Sequence, residues 1–297
     1  MMNDQAASLR KKLMQKTAAV EPLKKRRAKT LAIVSGKGGV GKTNISVNLA
    51  IGLARMNKKV LLFDMDIGMG NIYHLISKDP GHSIAEFFTK GVPLTDLINS
   101  GPEGILFIHG GSAAAQLFEW DETYTEKWIQ ALEQLVDDYD YILFDMGAGA
   151  SKESLNILLA AEAVLTVSTP EPTAMTDAYS MMKFIFLRDE EKQFFLLCNR
   201  AETEEEGFQT AERLKQTMEA FLRVSPIILG SLPDDPAVRK SVKAGQPFMI
   251  AFPEARISTA FDIIVKKYAG VPVKDEQKTS GFIDKLRRFF TERRDSR

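Results

Sequence analysis

A chain of 297 residues, 44% hydrophobic and 26% charged, is long enough to bury one large core, and no apolar run approaches the ~18 residues of a membrane span. Its single cysteine, Cys198, excludes an internal disulfide and sits in an apolar run with Phe194, Phe195, Leu196 and Leu197, where it reads as a core residue. The net charge of zero is unevenly spread: residues 1–29 hold nine Lys/Arg against two acids and residues 278–297 seven against three, so two basic ends flank an acidic body and point to an anionic partner.

Residues 1–29 form a basic appendage without strand alternation, ending in Lys24-Lys25-Arg26-Arg27-Ala28-Lys29. The start is polar, with no apolar stretch of a secretory signal, so a cytoplasmic protein is expected. Short apolar runs, mostly β-branched or aromatic, follow at 31–34, 60–63, 105–108, 141–144, 164–167, 194–198 and 227–229, bounded by Gly, Pro, Asp or Asn. They predict buried strands. Amphipathic stretches at 128–136, 155–161, 175–187 and 211–221 predict helices between them. Alternating strands and helices imply an α/β fold, a mostly parallel twisted sheet flanked by helices. A polar stretch at 271–280 separates this body, 30–270, from a last short helix within 281–297.

The strand at 31–34 runs into Ser35-Gly36-Lys37-Gly38-Gly39-Val40-Gly41-Lys42-Thr43, and a helix opens from Asn44. Strand, glycine-rich loop and helix in that order make a phosphate cradle. Gly36, Gly38, Gly39, Val40 and Gly41 let consecutive backbone N–H groups face inward, and the helix N-terminus adds partial positive charge. Lys42 neutralises the β- and γ-phosphates of ATP, and the Thr43 hydroxyl suits Mg²⁺. Two further strands end in acids, at Asp64-Met65-Asp66 and Asp145-Met146-Gly147, where an α/β sheet gathers its chemistry. Period-two alternation puts Asp64 and Asp66 on one side of the chain.

The extra lysine, Lys37, makes Lys-Gly-Gly-Val-Gly-Lys-Thr similar to the deviant Walker A motif of the MinD/ParA family of P-loop NTPases. The resemblance implies an ATPase that forms an ATP-dependent homodimer, in which Lys37 reaches across to the partner's phosphates. It implies that Asp66 orients the attacking water, and that Thr43, Asp64 and Asp145 form the Mg²⁺ neighbourhood. Gly147 would then sense the γ-phosphate. Asn44 departs from the family's usual Thr or Ser and offers an amide to the α-phosphate, and Tyr73 replaces a family acid. Asn199, Pro233 and Asp235 match the segments that hold adenine, and Glu171 is expected to meet Lys37 across the dimer face.

Near the C-terminus Phe282, Ile283, Leu286, Phe289 and Phe290 share one helical stripe, with Lys285, Arg287, Arg288, Arg293 and Arg294 largely off it. The stripe resembles the family's membrane-targeting tail and implies attachment to an anionic membrane surface. At the other end Asp4-Gln5-Ala6-Ala7-Ser8-Leu9-Arg10 matches the activator motif Asp-Gln-Ala-x-x-Leu-Arg of FlhG-type members, which regulate flagellar number and placement and stimulate the GTPase FlhF. Ala6 and Leu9 would share a short helix face, with Gln5 and Arg10 as polar contacts. Flagellar switch-complex (C-ring) proteins are a further expected partner; no specific nucleic acid is. A MinD-type division-site regulator and a ParA-type DNA segregation ATPase are the competing readings, and one cysteine cannot supply a dimer-bridging iron–sulfur cluster.

Overall fold

The computed structural model describes residues 27–66, 72–76, 81–111, 122–147, 152–272 and 281–291. The activator motif (Asp4, Gln5, Ala6, Leu9, Arg10), most of the polar stretch at 271–280, and Arg293 and Arg294 lie outside the described residues.

Among the described residues eight strands form one sheet: β1 Lys29–Val34, β2 Val60–Met65, β3 Asn99–Ser100, β4 Leu106–Ile108, β5 Tyr141–Met146, β6 Ala163–Ser168, β7 Gln193–Ala201 and β8 Ile227–Pro233. Their order is β3-β4-β2-β5-β1-β6-β7-β8, parallel throughout except where β3 pairs antiparallel with β4 at the edge. The helices are α1 Lys42–Arg55, α2 Ile72–Ile76, α3 Ile84–Lys90, α4 Glu122–Leu135, α5 Lys152–Ala160, α6 Pro172–Phe186, α7 Glu204–Leu222, α8 Pro236–Lys243, α9 Phe248–Ala251, α10 Arg256–Gly270 and α11 Phe282–Thr291. All seven predicted strands form, most of them longer than the apolar run that predicts them. The two-residue β3 and the helices α2, α3, α8, α9 and α10 were not anticipated.

Side chains of each strand alternate between two cores, as the pleat requires. Ala32, Val34, Leu61, Phe63, Ile142 and Phe144 enter one core with α4, α5, α6 and α11; Leu31, Ile33, Val60, Leu62, Tyr141 and Leu143 enter the other with α1 and α10. Asp64 and Asp145 share the parity of this second set, so the pleat delivers both carboxylates to the α1 side of the sheet. They are register partners on adjacent strands. Phe144, one residue before Asp145, points the opposite way.

The final helix packs on the body of the chain. Phe282, Ile283 and Leu286 are buried in the first core, and Phe289 and Phe290 are packed against it half-buried. α11 lies on α4 and α5, and the Phe282 ring stacks on Phe144 with centroids 5.5 Å apart. The stripe therefore covers the body of its own chain. Lys285, expected off the stripe, is a correction to the sequence reading. Three residues after Phe282 and one before Leu286, it lies on the covered side, only 6% exposed, with its ammonium 3.0 Å from the Asp189 carboxylate. Asp189 also faces Lys192 at 3.0 Å, and the Lys192 ammonium donates to the carbonyls of Leu159 and Ala161. Arg287 reaches Glu126 and Glu133 on α4 from the outer side.

Candidate functional site

β1 ends at Val34, the loop turns, and α1 begins at Lys42. Two glycines are required here. Gly41 caps α1 at φ +94°, a left-handed conformation that a side chain disfavours. Gly36 is pressed on α6, where any Cβ would overlap the backbone of Asp177 and Ala178. The first turn of α1 carries no acid and its N-terminus no side-chain cap. The N–H groups at the head of this 14-residue helix are therefore left to an anion, in the field of the helix dipole.

Lys42 projects toward Asp145, with Nζ 3.5 Å from Oδ1. Ser46, one helical turn on, places Oγ 2.9 Å from the same Oδ1. Asp64, only 1% exposed, accepts from the backbone N–H groups of Asp66 at 3.1 Å and Ile72 at 3.4 Å. Burial, and next the Asp145 charge beside it, push its pKa up to about 7 against those two bonds. Half-buried Asp66 is also raised, by burial and by Asp145, with Lys42 opposing. Gly147 lies against Asp66, where an added Cβ would come 3.2 Å from Asp66 Oδ1. Asp145 and Asp66 thus share Lys42 while Asp64 adds its charge beside Asp145, a site short of positive charge.

That deficit suits a divalent cation. Thr43, Asp64 and Asp145 would hold Mg²⁺ together with phosphate oxygens, and among the described residues no group of three His, Cys, Asp or Glu side chains closes around a metal. One or two carboxylates completed by phosphate and water is the usual Mg²⁺ arrangement.

The predicted base-binding residues come together. Asn44, Asn199, Arg200, Pro233, Asp234, Asp235, Val238, Arg239 and Phe248 help to line a cavity of about 210 Å³ beside Gly41. Two of them also make contacts within the chain. The Asn199 amide donates to the Val40 carbonyl at 2.7 Å and so braces the phosphate loop. Asp235 is occupied by backbone: one oxygen caps α8 through Ala237 N–H at 2.9 Å, and the other takes Ile257 N–H at 3.2 Å. Asn44 Oδ1 is buried in the structure without a hydrogen-bond partner, which suits a wall residue awaiting a ligand. A larger open groove of about 450 Å³, between the 87–95 segment and α4, lies away from these residues.

Lys37 and Glu171 meet within one chain, Nζ to Oε2 at 2.9 Å, rather than only across a dimer face. Both are exposed, and the hydrogen bond and charge of Lys37 hold the Glu171 pKa below its ordinary value. Sequence reasoning missed Ser46. Its position four residues after Lys42, on the buried side of the helix, was the available signal.

The family profile of ParA, described as NUBPL iron-transfer P-loop NTPase, matches residues 26–269. The antiactivator FleN of Pseudomonas aeruginosa is 32% identical over 82% of this chain and 87% of its own. The flagellum site-determining protein YlxH of Helicobacter pylori is 35% identical over 72% of each chain. Among solved structures, the septum site-determining protein MinD complexed with Mg-ADP from Pyrococcus horikoshii superposes with a TM-score of 0.67 at 24% identity, covering 82% of this chain and 96% of that one.

Proposed function

The chain belongs to the MinD/ParA family of P-loop ATPases, and from that premise we propose that it is a switch acting on flagellar number and placement, dimeric and membrane-attached with ATP and released on hydrolysis. Hydrolysis of ATP to ADP and phosphate is the family's reaction, and the residues present fit it. The loop N–H groups and the head of α1 bind the phosphates. Lys42 leaves Asp145 for the β- and γ-oxygens, and Asp66 orients a water in line with the γ-phosphorus. Mg²⁺, when bound, offsets the phosphate charge. Asn44 and the cavity walls position the nucleoside, and Lys37 leaves Glu171 to reach the phosphates of a second copy.

The observation that carries the flagellar reading is that two relatives above 30% identity, FleN and YlxH, are both named for regulatory roles, YlxH for the flagellum itself. The Asp4-Gln5-Ala6-x-x-Leu9-Arg10 motif supports FlhF as the partner of the N-terminal segment 1–29. C-ring proteins are the proposed cargo. α11 is the proposed membrane helix. No helix among the described residues is long and apolar enough to cross a membrane, so attachment would be peripheral, on the cytoplasmic face. For this, α11 must leave the groove on α4 and α5, and Phe282 on Phe144, next to Asp145, links that groove to the nucleotide end of β5.

A pull-down of FlhF by the full chain and by a chain lacking residues 1–29 tests the reading. Capture by the first alone is expected. Capture by neither, with ATP-dependent dimerisation intact, would favour a MinD-type division regulator; ATP-dependent retention on DNA would favour a ParA-type one.

A further inference from the structure

We propose that Ser46 is a positioning residue for the reaction, one that pins the Asp145 carboxylate when Lys42 departs; this rests on reading Asp145 as part of the Mg²⁺ neighbourhood. Ser46 is fully buried on α1, and its Oγ stands 2.9 Å from Asp145 Oδ1 and 3.1 Å from the Lys42 carbonyl. A serine hydroxyl has one proton, so it donates to one acceptor at a time. The carbonyl lies where the α-helical ladder supplies a backbone N–H, whereas the carboxylate is charged and closer, and charge-assisted bonds are the stronger. In this arrangement the proton belongs to Asp145.

Oδ1 of Asp145 is shared between Lys42 and Ser46. Lys42 is needed on the phosphates during catalysis and cannot hold Oδ1 at the same time. Ser46 has no such second duty. It keeps Oδ1 turned toward α1, so that Oδ2 would be the oxygen left for the cation. The same bond ties the helix carrying Lys42 and Thr43 to the strand carrying Asp145, which sets the spacing between the phosphate loop and the metal-facing carboxylate. An ordinary helical serine that merely back-bonds to the residue four before it would do neither.

The test uses the full chain and its Ser46→Ala and Ser46→Cys variants, with ATP affinity measured by calorimetry in EDTA and across a Mg²⁺ titration. Alanine is a good helix former, and thermal melts confirm that the variants fold. Affinity in EDTA is expected within about twofold of the parent. The Mg²⁺ concentration for half-maximal tightening should rise about tenfold in Ser46→Ala, the scale seen when a metal ligand's supporting partner is removed. Ser46→Cys, a weaker donor, should fall between. An unchanged Mg²⁺ midpoint in a folded Ser46→Ala, or equal loss of affinity with and without Mg²⁺, overturns the proposal. A parent chain that binds no ATP under either condition would instead sink the nucleotide reading beneath it.

Discussion

Asp64, Asp66 and Asp145 around Lys42, on the α1 side of the sheet, contrast with Asp189 between Lys192 and Lys285 beneath α11, on the other. Both clusters are taken from water, yet they are compensated differently. At the first, acids outnumber bases, and burial with the neighbouring carboxylate holds Asp64 up near pKa 7. At the second, burial works to raise Asp189, but Lys192 and Lys285 outweigh it and hold it below the carboxylate range. The spare charge of Lys192, itself lowered by burial to about 8, rests on two backbone carbonyls. A closed cluster specifies how two elements pack. An open one waits for a cation and an anion from outside.

The contrast is broken most severely at the closed cluster. Asp189→Ala leaves two buried ammonium groups facing each other, and should cost about 3–5 kcal/mol in chemical denaturation without changing ATP affinity in what remains folded. Lys42→Ala acts at the open cluster with the reverse pattern: ATP affinity by calorimetry should fall at least about a hundredfold, roughly 3 kcal/mol, with little loss of stability.

Asp64→Asn sharpens the comparison through pH. In the nucleotide-free chain the folded Asp64 keeps its proton up to about pH 7, while the unfolded one releases it near its ordinary 3.8. The folded state thus holds more protons between those values, and stability falls as pH rises across the window. The variant should remove much of that fall, gaining about 2 kcal/mol at pH 8, and lose the Mg²⁺ dependence of ATP binding. A parent whose denaturation midpoint does not move between pH 5 and 8 would contradict it. The smallest effect is expected of Lys285→Met, which keeps length and leaves Asp189 paired with Lys192, for under about 1 kcal/mol. Exchange protection of α11 amides, followed by mass spectrometry, would register it.

Seven of the eight strands were legible because each is an apolar run bounded by breakers, which the two polar residues of β3 are not, and the loop because only a strand, four glycines and a helix in sequence make that cradle. What pairwise contacts decide was not. Asp235 reads as a base ligand in a Pro-x-Asp setting, and nothing local shows that its oxygens also accept the N–H groups of Ala237 and of Ile257, 22 residues away. Lys285 reads as solvated until an acid 96 residues distant is placed beside it. Ser46 has no motif of its own.

The parity of the sheet is written in local pattern alone. Period-two alternation sends Phe144 to one face and Asp145 to the other, and that local rule needs no knowledge of what lies on either side. What each face meets came from the assembled fold: Lys42 and Ser46 at Asp145, the ring of Phe282 at Phe144. An apolar stripe on a helix states that the helix will leave water. Which apolar surface it leaves water for depends on a groove assembled from α4 and α5, more than a hundred residues before it, because burial is non-directional and favours whichever complementary surface is present.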